Sequence, residues 1–470
     1  MKSIGLLIGI ISLSCSSYLI GAAKAPLHSE SKLDQTPNIL LIVADDLGKE
    51  WVSCYGAQSI KTPNLDRLAM EGMMFHNAYV NPQCTPTRLS LMTGQYPFRH
   101  GWVNHWDVPR WGGGCHYDSE KNPSLAKILK NGGYTTGAAG KWQVNDFRDQ
   151  PDVMMQHGFD EYLMWTGYEK DNPPSKERYW NPYLHGKGGS KTYPKEFGPD
   201  VFVNFASDFI YQNMGTPWFF YYAMCLPHTP FTTTPLDMEA KTEVAQYGAM
   251  ISYMDDALDR LLSALEETGQ RENTIIVWLS DNGSTQKMAG NLNGRKVKGG
   301  KIKTTENGIC VPFIINSPYI VPEKETDALV DVTDLLPTLT ELAGAKLPNE
   351  YIFDGRSFCK LLLGEKEDSE RSWIMAMGGG NKAKLTSKGV KNQFEYRDRV
   401  LRNKRFKLYI GTNGLPEKLI DLWHDQDENI NLLDSSDPVV MNAKQQLINA
   451  VSQFPSLDNN PLYGFFEKGV

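Results

Sequence analysis

Pro37-Asn38-Ile39-Leu40-Leu41-Ile42-Val43-Ala44-Asp45-Asp46-Leu47-Gly48 is the stretch on which the fold turns. Ile39 to Ala44 is apolar without interruption. No polar face alternates with an apolar one, so the pattern is that of a strand buried on both sides of a parallel sheet. The run stops at two aspartates. The carboxyl end of a central strand is where open α/β sheets hold their ligands. Adjacent carboxylates also repel, and become useful when a hard divalent cation sits between them.

Ile275-Ile276-Val277-Trp278-Leu279 repeats the pattern far along the chain and ends in Ser280-Asp281-Asn282-Gly283. Asp45, Asp46, Asp281 and Asn282 together offer three carboxylates and one amide carbonyl. That set suits Ca²⁺ better than zinc, which prefers nitrogen or sulfur. Two further apolar strands end in polar groups: Gly133–Ala139 in Gly140-Lys141-Trp142-Gln143, and Trp218–Cys225 in Leu226-Pro227-His228-Thr229-Pro230-Phe231. Helices are expected from Thr62-Pro63, over 124–131 and 199–213, and over 247–268, where the Met-rich stripe is core. A short strand over 74–80 leads to Cys84. The segment 146–195, rich in Gly, Pro, Tyr and Trp, reads as irregular chain that builds a pocket, with Trp165-Thr166-Gly167-Tyr168-Glu169 and Glu177-Arg178-Tyr179-Trp180-Asn181 inside it.

Cys84-Thr85-Pro86-Thr87-Arg88, continuing to Thr93-Gly94, reads as a short helix with Thr85 as its cap, Pro86 in its first turn and Gly94 at its stop. Its free N–H groups and positive dipole end attract an anion, and Arg88 adds a fixed charge one turn in. A lone cysteine is more often a small buried apolar residue than a reactive one. The neighbours shift that reading.

Cys-Thr-Pro-Thr-Arg with a following Thr-Gly resembles the maturation signature of the type I, formylglycine-dependent sulfatases. Gly140-Lys141-Trp142-Gln143 resembles that family's Gly-Lys-Trp-His, with Gln143 where a histidine is usual; a glutamine can hold a hydrogen bond there but cannot relay a proton near neutral pH. Pro227-His228-Thr229-Pro230-Phe231 and Gly299-Gly300-Lys301 are similar to two more of its segments. The resemblance implies that a maturation enzyme converts Cys84 to formylglycine, and that calcium is bound by Asp45, Asp46, Asp281, Asn282 and the oxidised Cys84. It further implies that Arg88, Lys141 and Lys301 grip sulfate, that Gln143 orients the formylglycine hydrate, and that His228 serves the leaving group. The implied reaction passes through a sulfated enzyme. The implied fold is alkaline-phosphatase-like: a large mixed sheet between helices, with a smaller C-terminal antiparallel α+β subdomain. Asn104, His105 and Trp106, in the loop after the cysteine helix, are candidate contacts to a sulfated carbohydrate.

The chain has 470 residues and a formal net charge of -7. That balance argues against general attraction to nucleic acid or anionic membranes, so an anionic substrate needs a local cationic pocket. Residues 1–23 read as a bacterial-type secretory signal, too short to span a bilayer, and predict a secreted or periplasmic protein. Cys15 sits in a poor lipobox that would allow lipoprotein anchoring. Residues 24–36 read as a linker, 37–371 as the catalytic domain and 372–470 as the C-terminal subdomain. The seven cysteines show no Cys-x-x-Cys pair and indicate no zinc or disulfide framework. A phosphate or phosphonate ester hydrolase of the same superfamily, and a catalytically silent calcium-binding surface protein, are the competing readings.

Overall fold

The computed structural model describes residues 36–102, 116–167, 169, 172–322, 324–378 and 395–459, and the backbone of 383–386 and 389–392. Residues 1–35, including the expected signal, nearly all of the linker and Cys15, lie outside the described residues, as do Asn104, His105 and Trp106. Eighteen strands are named in chain order. They are β1 Asn38–Ala44, β2 Met73–Tyr79, β3 Thr135–Lys141, β4 Glu161–Trp165, β5 Tyr183–Gly186 and β6 Gly189–Thr192. Next come β7 Trp218–Ala223, β8 Thr274–Ser280, β9 Ala289–Leu292, β10 Arg295–Lys298, β11 Phe313–Asn316 and β12 Lys324–Asp331. The last are β13 Ile374–Met377, β14 Ala383–Thr386, β15 Gly389–Asn392, β16 Arg399–Arg402, β17 Phe406–Ile410 and β18 Pro416–Asp421.

Ten strands form one mixed sheet in the order β12-β2-β11-β8-β1-β7-β3-β4-β5-β6. β1 is its centre, parallel to β7 and to β8, with Leu41 level with Tyr221 on one side and Val277 on the other. Every residue of β1 is buried. Ile39, Leu41 and Val43 join one core layer, while Leu40, Ile42 and Ala44 join the other. That is why its sequence shows no alternation: both faces are covered. The helices Gly198–Gln212 and Glu243–Glu267 supply much of the second layer, the latter through Met250, Met254, Leu258, Leu261 and Leu265.

The segment 146–195 differs from its expected irregularity, because it contains β4, β5 and β6. These are short strands at one edge of the sheet, and their Gly and aromatic content shows no period-2 signal. Helix α1, Pro63–Met70, starts where Thr62 predicts, but the Thr62 hydroxyl accepts from the Ser53 N–H at 3.0 Å and makes no cap bond. Helix α2, Cys84–Thr93, is capped by Gln83, not Thr85: the Thr87 N–H reaches the Gln83 carbonyl at 3.3 Å. Cys84 is therefore the first helical residue, and Pro86 still lies in the first turn, where its missing N–H costs nothing.

β13, β16, β17 and β18 form a four-stranded antiparallel sheet. Leu401, Leu408 and Leu419 of this sheet share an apolar cluster with Tyr96 and Phe98, which follow α2 in the chain. Among the described residues no helix is long and apolar enough to cross a membrane.

His157 lies in the first core layer, unexposed, stacked on Tyr117 at 3.9 Å with Nε2 3.1 Å from the Tyr117 carbonyl oxygen. Burial pulls its pKa from 6.5 down to about 3. A depressed histidine contributes stability that is complete above the unfolded value and is lost as pH falls towards the folded one. We therefore expect the stability of the parent relative to His157→Gln to fall by about 1.4 kcal/mol per pH unit from 6.5 towards 3. Urea melts across that range check it; a pH-independent difference would contradict the assignment.

Candidate active site

The parallel core brings four strand ends to one edge of the sheet. The Asp45 N–H donates to the Leu226 carbonyl at 2.9 Å and the Asp281 N–H to the Ala44 carbonyl at 3.1 Å, so the ladder joining β1, β7 and β8 continues just beyond the strands. Asp46 turns away with φ of 67°, a left-handed conformation uncommon for a non-glycine residue. Its N–H donates to Asp281 Oδ1 at 3.1 Å and its carbonyl accepts from the Tyr247 hydroxyl at 3.0 Å. Backbone held in such a region is characteristic of functional sites.

Three carboxylates and three cations interlock here. Asp45 accepts from Lys141 Nζ at 2.9 and 2.8 Å. Asp281 faces Arg88, with Nε at 2.9 Å and Nη2 at 2.7 Å from Oδ2. Asp46 takes Lys301 Nζ on Oδ2 at 2.6 Å and Asn282 Nδ2 on Oδ1 at 2.8 Å. All of these side chains but Lys301 are buried. Burial alone would raise Asp45, yet Lys141, His228 and Arg88 hold it well below the usual carboxylate range. Burial is only partly offset at Asp281, whose pKa is pushed up to about 7. Burial would also discharge Lys141, but Asp45 outweighs it and raises that pKa.

The donor set fits a hard cation. Single ligand atoms of Asp45, Cys84 and Asp281 lie within 4.8 Å of one another, and so do those of Asp45, Asp46 and His228. Asn282 Oδ1 is buried without a hydrogen-bond partner, an acceptor left for something else. The charges of three carboxylates and three cations cancel, so a bound dication would leave the site positive, as an anionic ester requires.

Cys84, 5 % exposed at the N-terminus of α2, opens onto a cavity of about 930 Å³ lined also by Gln143, Trp165, Arg178, His228 and Lys301. His228 Nε2 is 3.0 Å from Lys301 Nζ and 3.5 Å from Asp46 Oδ2, while Nδ1 is 2.7 Å from the Thr229 carbonyl oxygen. Nε2 is placed to accept from Lys301, while Nδ1 lies between the Thr229 carbonyl oxygen and the donating Arg178 Nη2, 2.9 Å away. Burial lowers the His228 pKa to about 3, so the ring is neutral. Gln143 lines the cavity with φ of 60°, packed close to Gly167.

Ten of the residues picked from the sequence thus converge: Asp45, Asp46, Cys84, Arg88, Lys141, Gln143, His228, Asp281, Asn282 and Lys301. Arg178 was not singled out. Its guanidinium lies 4.4 Å over the Trp165 ring, with Nη2 2.9 Å from His228 Nδ1. Only its place in the aromatic-rich segment hinted at this.

The family model described as Sulfatase matches residues 37–345. The arylsulfatase of Hemicentrotus pulcherrimus is 30% identical over 387 residues, covering 77% of this chain and 69% of that protein. Arylsulfatase A of Bos taurus is 31% identical over 448 residues, covering 87% and 86%. Among solved structures, Ps i-CgsB in complex with k-i-k-neocarrahexaose superposes with a TM-score of 0.74 at 27% identity, covering 91% of this chain and 94% of that one. With that match across most of its length, the chain belongs to the sulfatase family of sulfuric-ester hydrolases.

Proposed function

We propose that the protein releases sulfate from a sulfated carbohydrate, using an oxygen nucleophile made from Cys84 beside a calcium ion. The observation that carries this reading is the cluster itself. Asp45, Asp46, Asp281 and the unpartnered Asn282 Oδ1 meet three interlocked cations and Cys84 at a helix N-terminus. Asp45, Asp46, Asp281 and Asn282 would hold calcium. Oxidised by a maturation enzyme to formylglycine, residue 84 supplies a hydrate oxygen as nucleophile, and calcium favours its deprotonated form.

The chain's own residues do the rest. Lys141, Lys301 and Arg88 bind the sulfate oxygens and stabilise the charge that shifts onto them as the ester bond breaks. Because these cations already rest on carboxylates, they are held in place before the substrate arrives. His228 serves the departing alcohol: its Nε2, 3.0 Å from the Lys301 ammonium, would meet the leaving oxygen, and that ammonium offsets the charge developing there. Asp46 keeps that ammonium charged, against burial. Arg178, beside His228 Nδ1, fixes the ring. Gln143 orients the nucleophile and carries no proton. Trp165 and Phe231 on the cavity wall favour a sugar ring. Residues 1–23 make the protein an exported one, secreted or periplasmic, in this reading.

The test is a turnover panel on enzyme whose residue 84 is shown by mass spectrometry to be formylglycine. An aryl sulfate is expected to be hydrolysed at least about tenfold faster than the matching aryl phosphate, a barrier difference of about 1.4 kcal/mol, and sulfated oligosaccharides are expected to release sulfate. Equal or faster phosphate turnover would overturn the sulfatase specificity, and aryl sulfate turnover without release from any saccharide would overturn the carbohydrate reading.

A further inference from the structure

The Gly299–Lys303 turn has two sides. Lys301 and Ile302 line the Cys84 cavity, whereas Gly299 and Lys303 line a second cavity of about 750 Å³. Hairpin β9–β10 supplies Lys296 and Lys298 to it, and the C-terminal sheet region supplies Arg402 and Trp423. In a chain of net charge -7 this concentration of cations is not a matter of composition.

The acids at its wall are already engaged. Glu306 and Glu428 accept from Lys407 at 3.1 and 3.3 Å, Asp427 pairs with Arg295 at 2.6 Å, and Asp327 with Lys404 at 3.2 Å. Glu50 is buried, and burial pushes its pKa up to about 7. Lys296, Lys298 and Lys303 are exposed and make no ion pair among the described residues. Arg402 is 5 % exposed; its guanidinium packs 4.8 Å over the Tyr79 ring, its Nε pairs with Glu306 Oε2 at 3.6 Å, and its Nη1 is buried without a hydrogen-bond partner. Leaving a buried donor unsatisfied is unfavourable, and an incoming anionic oxygen would relieve it. Trp423 is 65% exposed, with Nε1 tied to the Lys404 carbonyl at 3.2 Å and Arg405 over its ring at 5.1 Å. An open indole held among unpaired lysines presents an apolar face for a pyranose ring and charge for its sulfate or carboxylate.

We propose that this second cavity binds another anionic sugar residue of the same chain whose sulfate ester enters the Cys84 cavity. The proposal rests on the carbohydrate reading and adds to it that the preferred substrate is an oligosaccharide long enough to cross the Lys301 turn. Binding at two places on one molecule makes the second contact intramolecular and raises affinity without new chemistry at the first.

Calorimetry with the full-length enzyme tests this, using sulfated hexasaccharides from carrageenan and from chondroitin sulfate as probes, with a chemically desulfated hexasaccharide and a single-stranded DNA oligonucleotide beside them. Lys296→Ala/Lys298→Ala and Trp423→Ala are each expected to weaken a sulfated hexasaccharide by about tenfold or more, in line with the loss of about 1.4 kcal/mol of contact energy. Aryl sulfate kcat/KM is expected to stay within about twofold of the parent. The proposal is overturned if neither sulfated probe binds, if both variants bind as the parent does, or if the desulfated sugar or the DNA binds more tightly. Aryl sulfate turnover is the separate readout of the sulfatase reading: its absence in the parent breaks that reading, whatever the hexasaccharides do.

Discussion

Cys84→Ala is expected to lower aryl sulfate turnover by at least about four orders of magnitude while leaving the fold intact, because removing a covalent nucleophile costs far more than removing a binding contact. Cys84 is the first residue of α2, buried against Asp45 and Asp281. A plain thiol at that place is a poor partner for a hard cation, which takes oxygen ligands. An oxygen there serves both as ligand and as nucleophile. Alanine deletes only the terminal atom of a 5 % exposed side chain, so a thermal midpoint close to the parent's is expected. Two measurements check the claim: kcat/KM of the variant, and the mass of the peptide containing residue 84 in parent enzyme from its native host. Residual activity above about one hundredth would place the nucleophile elsewhere. An unmodified thiol in native material would favour a silent calcium-binding protein.

Much of this site was legible because its ligands sit at backbone positions that the sequence announces. Asp45, Asp46, Asp281 and Asn282 follow strands that are apolar on both faces, and such strands cannot be mistaken for solvent-facing ones. Lys141 closes β3 in the same way. The expected cap of α2, Thr85, lies two residues from the observed one, Gln83, since Thr and Gln can each precede a helix and only the Thr87 to Gln83 hydrogen bond decides between them. β4 to β6 were illegible: as short edge strands rich in Gly and aromatics they carry no periodicity. Arg178 was illegible for another reason. Its role comes from tertiary approach to His228 and Trp165, which no local pattern encodes. Tyr247, whose hydroxyl fixes the Asp46 carbonyl, reads simply as one more apolar position of a long helix.

Asp45→Asn is expected to cost about 3–5 kcal/mol of stability and to abolish the response to calcium. Asp45 is unexposed, accepts twice from Lys141 and lies 3.8 Å from Arg88 Nη2. Taking away one partner of a buried ion pair leaves the other charge in a medium that cannot solvate it, which is the origin of that cost. Since the Asp45 carboxyl is held below its ordinary pKa, the stability it contributes is present at neutral pH and is lost only as pH falls below the ordinary value of 3.8. The Asp45 contribution should therefore shrink only below that value. Calcium adds an independent readout. An ion that binds only the folded state stabilises it by about 2.7 kcal/mol at a hundredfold excess over its Kd, so the parent's melting temperature should climb with calcium and the variant's should not. Asn282→Ala separates the two effects. It removes the unpartnered Oδ1 without disturbing the Lys141 pair, so it should weaken the calcium increment while sparing most of the stability in chelator. If Asp45→Asn unfolds at the parent's urea midpoint and keeps the full calcium increment, these carboxylates neither balance the buried cations nor hold the metal, and the charge argument for the site fails.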